Sequence, residues 1–295
     1  MSKQTVPNVV HKKNEESLIP IIDPKKFSFV INKMRTFFLS KGFLEVHTQN
    51  RISIMAACEN PHSISSYTFD NKLLPLPQTG QMWLEYELLK DPTAVGFFCV
   101  STSFRNEKNP IPGRHDRIFP MFEFEMPGNI DTLLEFEKEL VEYLGFGNKD
   151  DFPVATYEEM SDKYSVSIIE SDDELEIQKD YGNVFFLTKF PERTFPFWNM
   201  KRNEDGTSNK IDVLLHGMET IGSAERSCDA DEQRKSFYSI EDGKYAQKLF
   251  DLFGQAQVEE ELEEFLAQDF FPRSGGGIGV TRMIRAMELS GLMPE

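Results

Sequence analysis

Behind Asp23 and Pro24, the apolar residues Phe27, Val30, Ile31, Met34, Phe37 and Phe38 recur at three- and four-residue spacing. That spacing predicts a helix with one buried stripe, ending near Gly42. Asp23 reads as its N-cap and Pro24 as its first helical residue. The pattern then shortens into extended runs. FLEVHT is a strand, RISIM continues extended after a turn at Gln49-Asn50, and SSYTF and KLLPLP form a strand pair. Thr79 is placed to cap the helix GQMWLEYELLK. AVGFFCVSTSF and DRIFPMFEFEM are β-rich runs separated by the polar RNEKNPIPGRH. They predict two antiparallel strands joined by a long loop, a place where function concentrates. Helices are expected over 130–145, 155–163 and 171–180, and strands over NVFFLTKF, TFPFWNM and NKIDVLLH. Two helices fill 229–269, and a glycine turn, GGGIG, leads into a closing helix. The reading is a polar arm over 1–22 and one α+β domain over 23–295, helices packed on a largely antiparallel sheet.

Composition adds little to the fold and more to the class of function. With 39% hydrophobic and 27% charged residues, the chain has an ordinary globular balance, and its 26 Phe fall mostly in the periodic runs that make a core. There is no run of about 18 apolar residues, so no membrane span is expected. MSKQTVPNVVHKKNEE lacks the apolar segment of a secretory signal. Cys58, Cys99 and Cys228 have no metal-ligand spacing and read as reduced thiols, so a cytoplasmic location is expected. The net charge of −17 argues against nucleic acid as the main ligand, because phosphate backbones are gripped by basic faces. A small anion needs only a few well-placed Arg.

Three stretches carry candidate chemistry. Arg105 and Glu107 follow one strand, Arg114 and His115 lie across the loop, and Phe119, Glu123 and Glu125 follow on the next strand. Guanidinium groups facing each other over a loop suit a polyphosphate, although such a loop can also be a solvated surface of paired charges. Ser274–Arg282 is glycine-rich and allows close backbone approach to a ligand, but it is neither a dinucleotide fingerprint nor a P-loop. Asp212 and Glu219 flank a strand end and can hold Mg²⁺ against phosphates, or can be ordinary surface acids.

The order of these stretches resembles the catalytic domain of class II aminoacyl-tRNA synthetases, in particular the asparaginyl/aspartyl branch, from about residue 24 to the C-terminus. The first helix with FLEVHT is similar to motif 1, SFRNE…RHDRIFPMFEFE to motif 2, and GGGIGVTRMIRAMEL to motif 3. The resemblance implies an antiparallel sheet flanked by helices, a homodimer built on motif 1, and ATP and Mg²⁺ as co-substrate and metal. It implies that Arg105 holds the α-phosphate and the substrate carboxylate. Glu107 would lie near the adenine and amino-acid pocket, and Arg114 and His115 at the outer phosphates. Phe119 and Arg282 would enclose adenine, Arg282 reaching the γ-phosphate, while Asp212 and Glu219 bind the metal. On the amino-acid side it implies Glu59 for the α-ammonium, Gln81 and Glu85 in the segment TGQMWLE, and Arg226 for a side-chain oxygen. Leu84 stands where the aspartyl enzymes place a Lys, so an amide side chain is implied.

The departures shift the expected reaction. Only about two dozen residues precede the motif 1 helix, where both synthetases carry an anticodon-binding barrel; with the acidic charge, this makes tRNA an unexpected partner. Ile118 replaces a Glu before the stacking Phe, and Ser223-Ala224-Glu225-Arg226 replaces Gly-Ser-Gln-Arg. The FEFE strand end and the GGGIG turn are similar to bacterial ammonia-dependent asparagine synthetase, and the whole to its archaeal counterpart related to asparaginyl-tRNA synthetase. The expected activity is therefore a ligase joining aspartate and ammonia through β-aspartyl-AMP. The alternatives are another amino-acid-adenylating ligase, a truncated asparaginyl-tRNA synthetase, or a non-catalytic amino-acid-binding regulator.

Overall fold

The computed structural model describes residues 22–294 except Asn50, Arg51, Ala57, Cys58, Pro112 and His115. The N-terminal arm therefore lies almost wholly outside the described residues. In chain order the elements begin with α1 (Pro24–Ser40), β1 (Leu44–Glu45), β2 (Ser66–Phe69), β3 (Lys72–Pro75) and α2 (Gln81–Lys90). Then come β4 (Phe97–Phe104), β5 (Ile118–Pro127), α3 (Ile130–Leu144), β6 (Val154–Thr156), α4 (Tyr157–Tyr164) and α5 (Ser171–Tyr181). The chain closes with β7 (Val184–Pro191), β8 (Thr207–Leu215), β9 (Glu219–Glu225), α6 (Ala230–Ser239), α7 (Lys244–Phe253), α8 (Gln255–Leu266), β10 (Arg273–Gly279) and α9 (Val280–Leu289).

Eight strands form one sheet in the order β1-β4-β5-β10-β9-β8-β7-β6, antiparallel except at its two edges, where β1 runs parallel to β4 and β6 to β7. This is the mixed architecture expected, with β2 and β3 as the separate strand pair. The first helix starts as its sequence predicts: Asp23 accepts from the amides of Lys25 and Lys26 at 2.8 and 3.2 Å, satisfying two donors of the first turn. Its apolar stripe packs on the sheet with α3 and α9, over Phe98, Phe122, Phe124, Ile211, Ile221 and Ile278. Phe37 and Phe38 are therefore buried within their own chain and do not form an open face for a second copy.

The opposite face is covered in two patches. Helices α4 and α5 pack over Phe185, Leu187 and Leu214 at the β7 side. Helix α2 covers Phe97 and Cys99, and α6, α7 and α8 pack around Trp198, Phe237, Tyr245 and Phe265. Between them, the face above β5, β10 and β9 remains open, and there the site forms.

Several local expectations change. The glycine run is not a turn but the middle strand, β10, paired on both sides. TFPFWNM is not a strand: Phe195 takes φ 54°, and Trp198 turns into the helical core and donates to the Met55 carbonyl at 3.1 Å. RISIM forms no strand in its described residues, FLEVHT keeps only two strand residues, and 229–269 holds three helices instead of two. The N-cap of α2 is Gly80, whose amide donates to the Glu123 carboxylate at 2.8 Å; Thr79 stands one residue earlier.

One buried acid belongs to the core. Glu137 on α3 is fully buried, and burial pushes its carboxyl up to about 8, with the Ser223 hydroxyl opposing and the Asp212 charge adding to the rise. Between its ordinary 4.5 and about 8, the folded chain holds a proton that the unfolded chain has released. This contribution is complete below 4.5 and is lost as pH rises through the window. Glu137→Gln is expected to flatten that loss. Urea midpoints measured at about pH 5.5 and about pH 8 should fall more for the wild type than for the variant, and equal falls would contradict it.

Candidate active site

The open face is floored by backbone. Gly277 and Gly279 of β10 and Gly222 of β9 lie under a cavity of about 190 Å³, with Phe119 and Met121 of β5 at its side. Arg105, Glu107, Arg114, Asp116, Glu219, Thr281 and Arg282 complete the lining. Six residues singled out from sequence thus meet in one cleft: Arg105, Glu107, Arg114, Phe119, Glu219 and Arg282. His115 lies outside the described residues.

Strand geometry sets these positions. Arg105 leaves the end of β4, its amide bound to the Arg117 carbonyl at 2.8 Å across the mouth of the β4–β5 loop. Its guanidinium lies 5.6 Å from the centre of the Phe119 ring. Arg282 stands in the first turn of α9 and reaches back to the Glu219 carbonyl at 2.7 Å, its other nitrogen donating to the Arg114 carbonyl at 3.4 Å. Arg114 pairs with Glu174 of α5, which also accepts from the Glu219 amide at 3.3 Å. The loop, β9, α5 and α9 are tied together through guanidinium groups.

Desolvation and the neighbouring charges shift the acids in opposite directions. Burial pushes Glu219 up, but the charges of Lys210, Arg282, Arg105 and Arg114 outweigh it and hold the carboxyl below its ordinary range. Asp212, on β8 opposite Gly222, is pushed up to about 7 by burial, with Lys210 opposing and Glu219 adding. Its Oδ2 pairs with Lys210 at 2.8 Å, and its Oδ1 is buried without a hydrogen-bond partner among the described residues. That orphan oxygen beside a second carboxylate suits a divalent cation. Mg²⁺ takes one or two protein carboxylates and completes its shell with water and phosphate oxygens. Among the described residues no group of three or more His, Cys, Asp or Glu could hold a metal without such help.

The amino-acid residues implied by sequence lie further along the same face. Alternation along β5 carries Glu123 and Glu125 onward from Phe119 and Met121. Glu123 accepts from Gly80 and Ser101, and burial pushes it up to about 7. Glu59 is half-buried, also pushed up to about 7 by desolvation, and accepts from the Gln78 amide at 3.3 Å. Gln81 is buried with neither end of its amide partnered among the described residues. Glu85 is no surface acid. It is fully buried and accepts from Arg273 at 2.8 and 3.1 Å and from Asn199 at 2.7 Å. Arg226, equally buried, forks onto Glu125 with two bonds of 3.0 Å. Glu174, Asn199 and Arg273 were not among the sequence candidates. Glu125 had a legible signal in the alternation of FEFE; the other three sit in stretches whose pattern says nothing of their partners.

The comparisons identify the family and the fold. Residues 23–290 match the family described as tRNA synthetases class II (D, K and N). The aspartate–tRNA(Asp) ligase of Thermoplasma volcanium is 24% identical, over 87% of this chain and 62% of its own length. The chain therefore spans less than two thirds of that relative. Among solved structures, asparaginyl-tRNA synthetase from Pyrococcus horikoshii complexed with asparaginyl-adenylate superposes with a TM-score of 0.72 at 20% identity, covering 90% of this chain and 65% of that one. The Entamoeba histolytica enzyme, also with asparaginyl-adenylate, gives 0.70 at 16% identity, covering 89% and 62%. These relatives are named as tRNA ligases or synthetases, so the comparisons give no support to setting tRNA aside. No described helix is long and apolar enough to cross a membrane. With the family matched over residues 23–290, nearly the whole domain, the chain belongs to the class II aminoacyl-tRNA synthetases of the aspartyl, lysyl and asparaginyl group.

Proposed function

We propose that this chain is an ATP-dependent, AMP-forming ligase that activates aspartate as β-aspartyl adenylate and passes it to ammonia, giving asparagine. The observation that carries adenylation is the cleft itself: three guanidinium groups, an aromatic ring and a bare glycine floor around Glu219. An oxygen of the aspartate β-carboxylate attacks the α-phosphorus of ATP, and the bond to the leaving pyrophosphate breaks. The ammonia lone pair then attacks the acyl carbon, AMP departs with the bonding electrons, and the nitrogen loses a proton to solvent. Neither step needs a covalent nucleophile from the protein, so charge neutralisation and alignment supply the acceleration.

In this reading Arg105 holds the α-phosphate and the reacting carboxylate, and Arg114 with His115 holds the outer phosphates. Phe119 and Arg282 enclose adenine, Glu107 borders it, and Arg282 also meets the γ-phosphate. Asp212 and Glu219 would hold Mg²⁺, which offsets phosphate charge when bound. Glu59, Gln81, Glu85 and Arg226 form the amino-acid side. Ammonia as acceptor is supported by the net charge of −17, which disfavours a polyanionic acceptor. The chain would act as a cytoplasmic homodimer, with Leu39, Leu44 and Val95, each more than half exposed, as apolar surface near edge strand β1. A second reading, asparaginyl transfer to tRNA, is favoured by the solved relatives that hold asparaginyl-adenylate.

The two readings separate in one assay. With aspartate, ATP, Mg²⁺ and ammonium but no tRNA, AMP and asparagine are expected in equal amounts. AMP release that requires both asparagine and tRNA would overturn the first reading in favour of the second. Arg282→Ala is expected to slow AMP formation about 100- to 1,000-fold with the circular dichroism spectrum kept, the scale for removing one preorganised charge donor. A change under threefold would remove Arg282 from the clamp.

A further inference from the structure

Beyond the cleft, on the same face of the sheet, four charged side chains are sealed from solvent. Glu85, Glu125, Arg226 and Arg273 each have 0% exposure. Arg226 forks onto Glu125, and its Nε lies 3.6 Å from Glu85 Oε1. Arg273 clamps Glu85 through Nε and Nη2 and donates Nη1 to the Ser227 carbonyl at 3.2 Å. Its guanidinium also lies 4.6 Å from the centre of the Phe270 ring. Asn199 takes the other oxygen of Glu85. Both oxygens of Glu85 are thus engaged within the protein.

The position of this cluster relative to the cleft follows from register. Met121, Glu123 and Glu125 succeed one another on one face of β5, opposite Gly279, Gly277 and Gly275 of β10. Met121, Gly277 and Gly279 line the cleft. At roughly 3.3 Å per residue, Glu125 stands about 13 Å along the floor from Met121, within the combined reach of a phosphate and an amino acid. In the proposed reading of the cleft, the cluster therefore backs the inner end of the amino-acid side. Its charges balance, two against two. Without Arg273 it would carry one uncompensated negative charge, and in a dry site such a charge acts strongly on a neighbouring ligand.

We propose that Arg273 is a specificity-determining positioning residue: by occupying and neutralising Glu85, it makes the inner end of the pocket accept a carboxylate, so that aspartate is selected over asparagine. The proposal rests on the reading of this cleft as an aspartate-activating site. Aspartate presents a carboxylate to the inner end whichever of its two carboxylates lies at Arg105. Asparagine, activated at its single carboxylate, presents a neutral amide whose N–H groups would need a free acceptor. Glu85, held by Arg273 and Asn199, offers none. An uncompensated Glu85 would do the opposite, accepting from the amide and repelling the carboxylate. Discrimination here is a matter of which partner is left unpaired, the device that gives polar sites their large selectivity.

The test is a charge series read by amino-acid-dependent exchange of pyrophosphate into ATP, with aspartate and asparagine compared by kcat/KM in each variant. Arg273→Gln leaves the cluster one charge negative and is expected to lower the aspartate-to-asparagine ratio at least about tenfold, chiefly through KM for aspartate. Glu85→Gln is expected to raise the ratio. The double variant Glu85→Gln/Arg273→Gln restores balance and should return the ratio to within about threefold of wild type. It also keeps the question answerable where Arg273→Gln alone fails to fold for want of a partner to Glu85. A ratio that stays constant across the series, or that falls as far in the double variant as in the single, overturns the role of Arg273 while leaving aspartate activation standing. Wild-type protein that exchanges with asparagine and not aspartate overturns the aspartate reading itself.

Discussion

A glycine-rich strand, β10, runs through the middle of the sheet. Gly275, Gly277 and Gly279 present no Cβ to the open face, and two different things use the room. Over Gly277 and Gly279 the room is cleft, where a ligand can lie directly on backbone. Over Gly275 it is filled from within: a Cβ there would stand 2.0 Å from Glu125 Oε2 and 2.3 Å from the Phe124 carbonyl oxygen. The ion pair of Glu125 with Arg226 can sit so close to the sheet only because residue 275 is glycine. Glycine in a strand normally weakens it. Here β10 is held by neighbours on both sides and by Ile278 in the core beneath, so the loss is offset.

The cleft and the charge cluster divide electrostatic work between them. Around Glu219 the cations Lys210, Arg282, Arg105 and Arg114 outweigh the cost of desolvation and hold the carboxyl below its ordinary range. This is a surround suited to a polyanion with a divalent cation. Further along, charges are matched one for one, and each partner is spent on another protein group. A buried ion pair is weak evidence for stability, since desolvation consumes most of its attraction. What the matched cluster contributes is definition: two acids and two guanidinium groups, all fully buried and bonded to one another, present one fixed order of charge.

Much of this was legible in the sequence, for identifiable reasons. The stripe from Phe27 to Phe38, the cap at Asp23 and the alternation of β4 and β5 are local signals, and the structure follows them. The cleft residues were found because their motifs keep order and spacing. The failures were of another kind. GGGIG reads as a turn because its strand character comes from pairing with β9 and β5, both far away in the chain. TFPFWNM alternates aromatics as a strand does, but Phe195 with its positive φ breaks the run and sends Trp198 into the helical core. The segment read as two helices divides again at Glu241 and Asp242, both with left-handed backbone that no periodicity reports. Arg273 was missed because its meaning lies in Glu85, on a helix that the chain reaches long before it.

All of this depends on the cleft being a place where an amino-acid carboxylate meets the α-phosphate of ATP. Exchange of labelled pyrophosphate into ATP by the wild-type protein, with Mg²⁺ and each of the two amino acids and without tRNA or ammonium, measures that meeting alone. Adenylation in this cleft requires exchange that depends on aspartate and vanishes when the amino acid is withheld. Folded protein that binds an amino acid but exchanges no pyrophosphate with either one would contradict it.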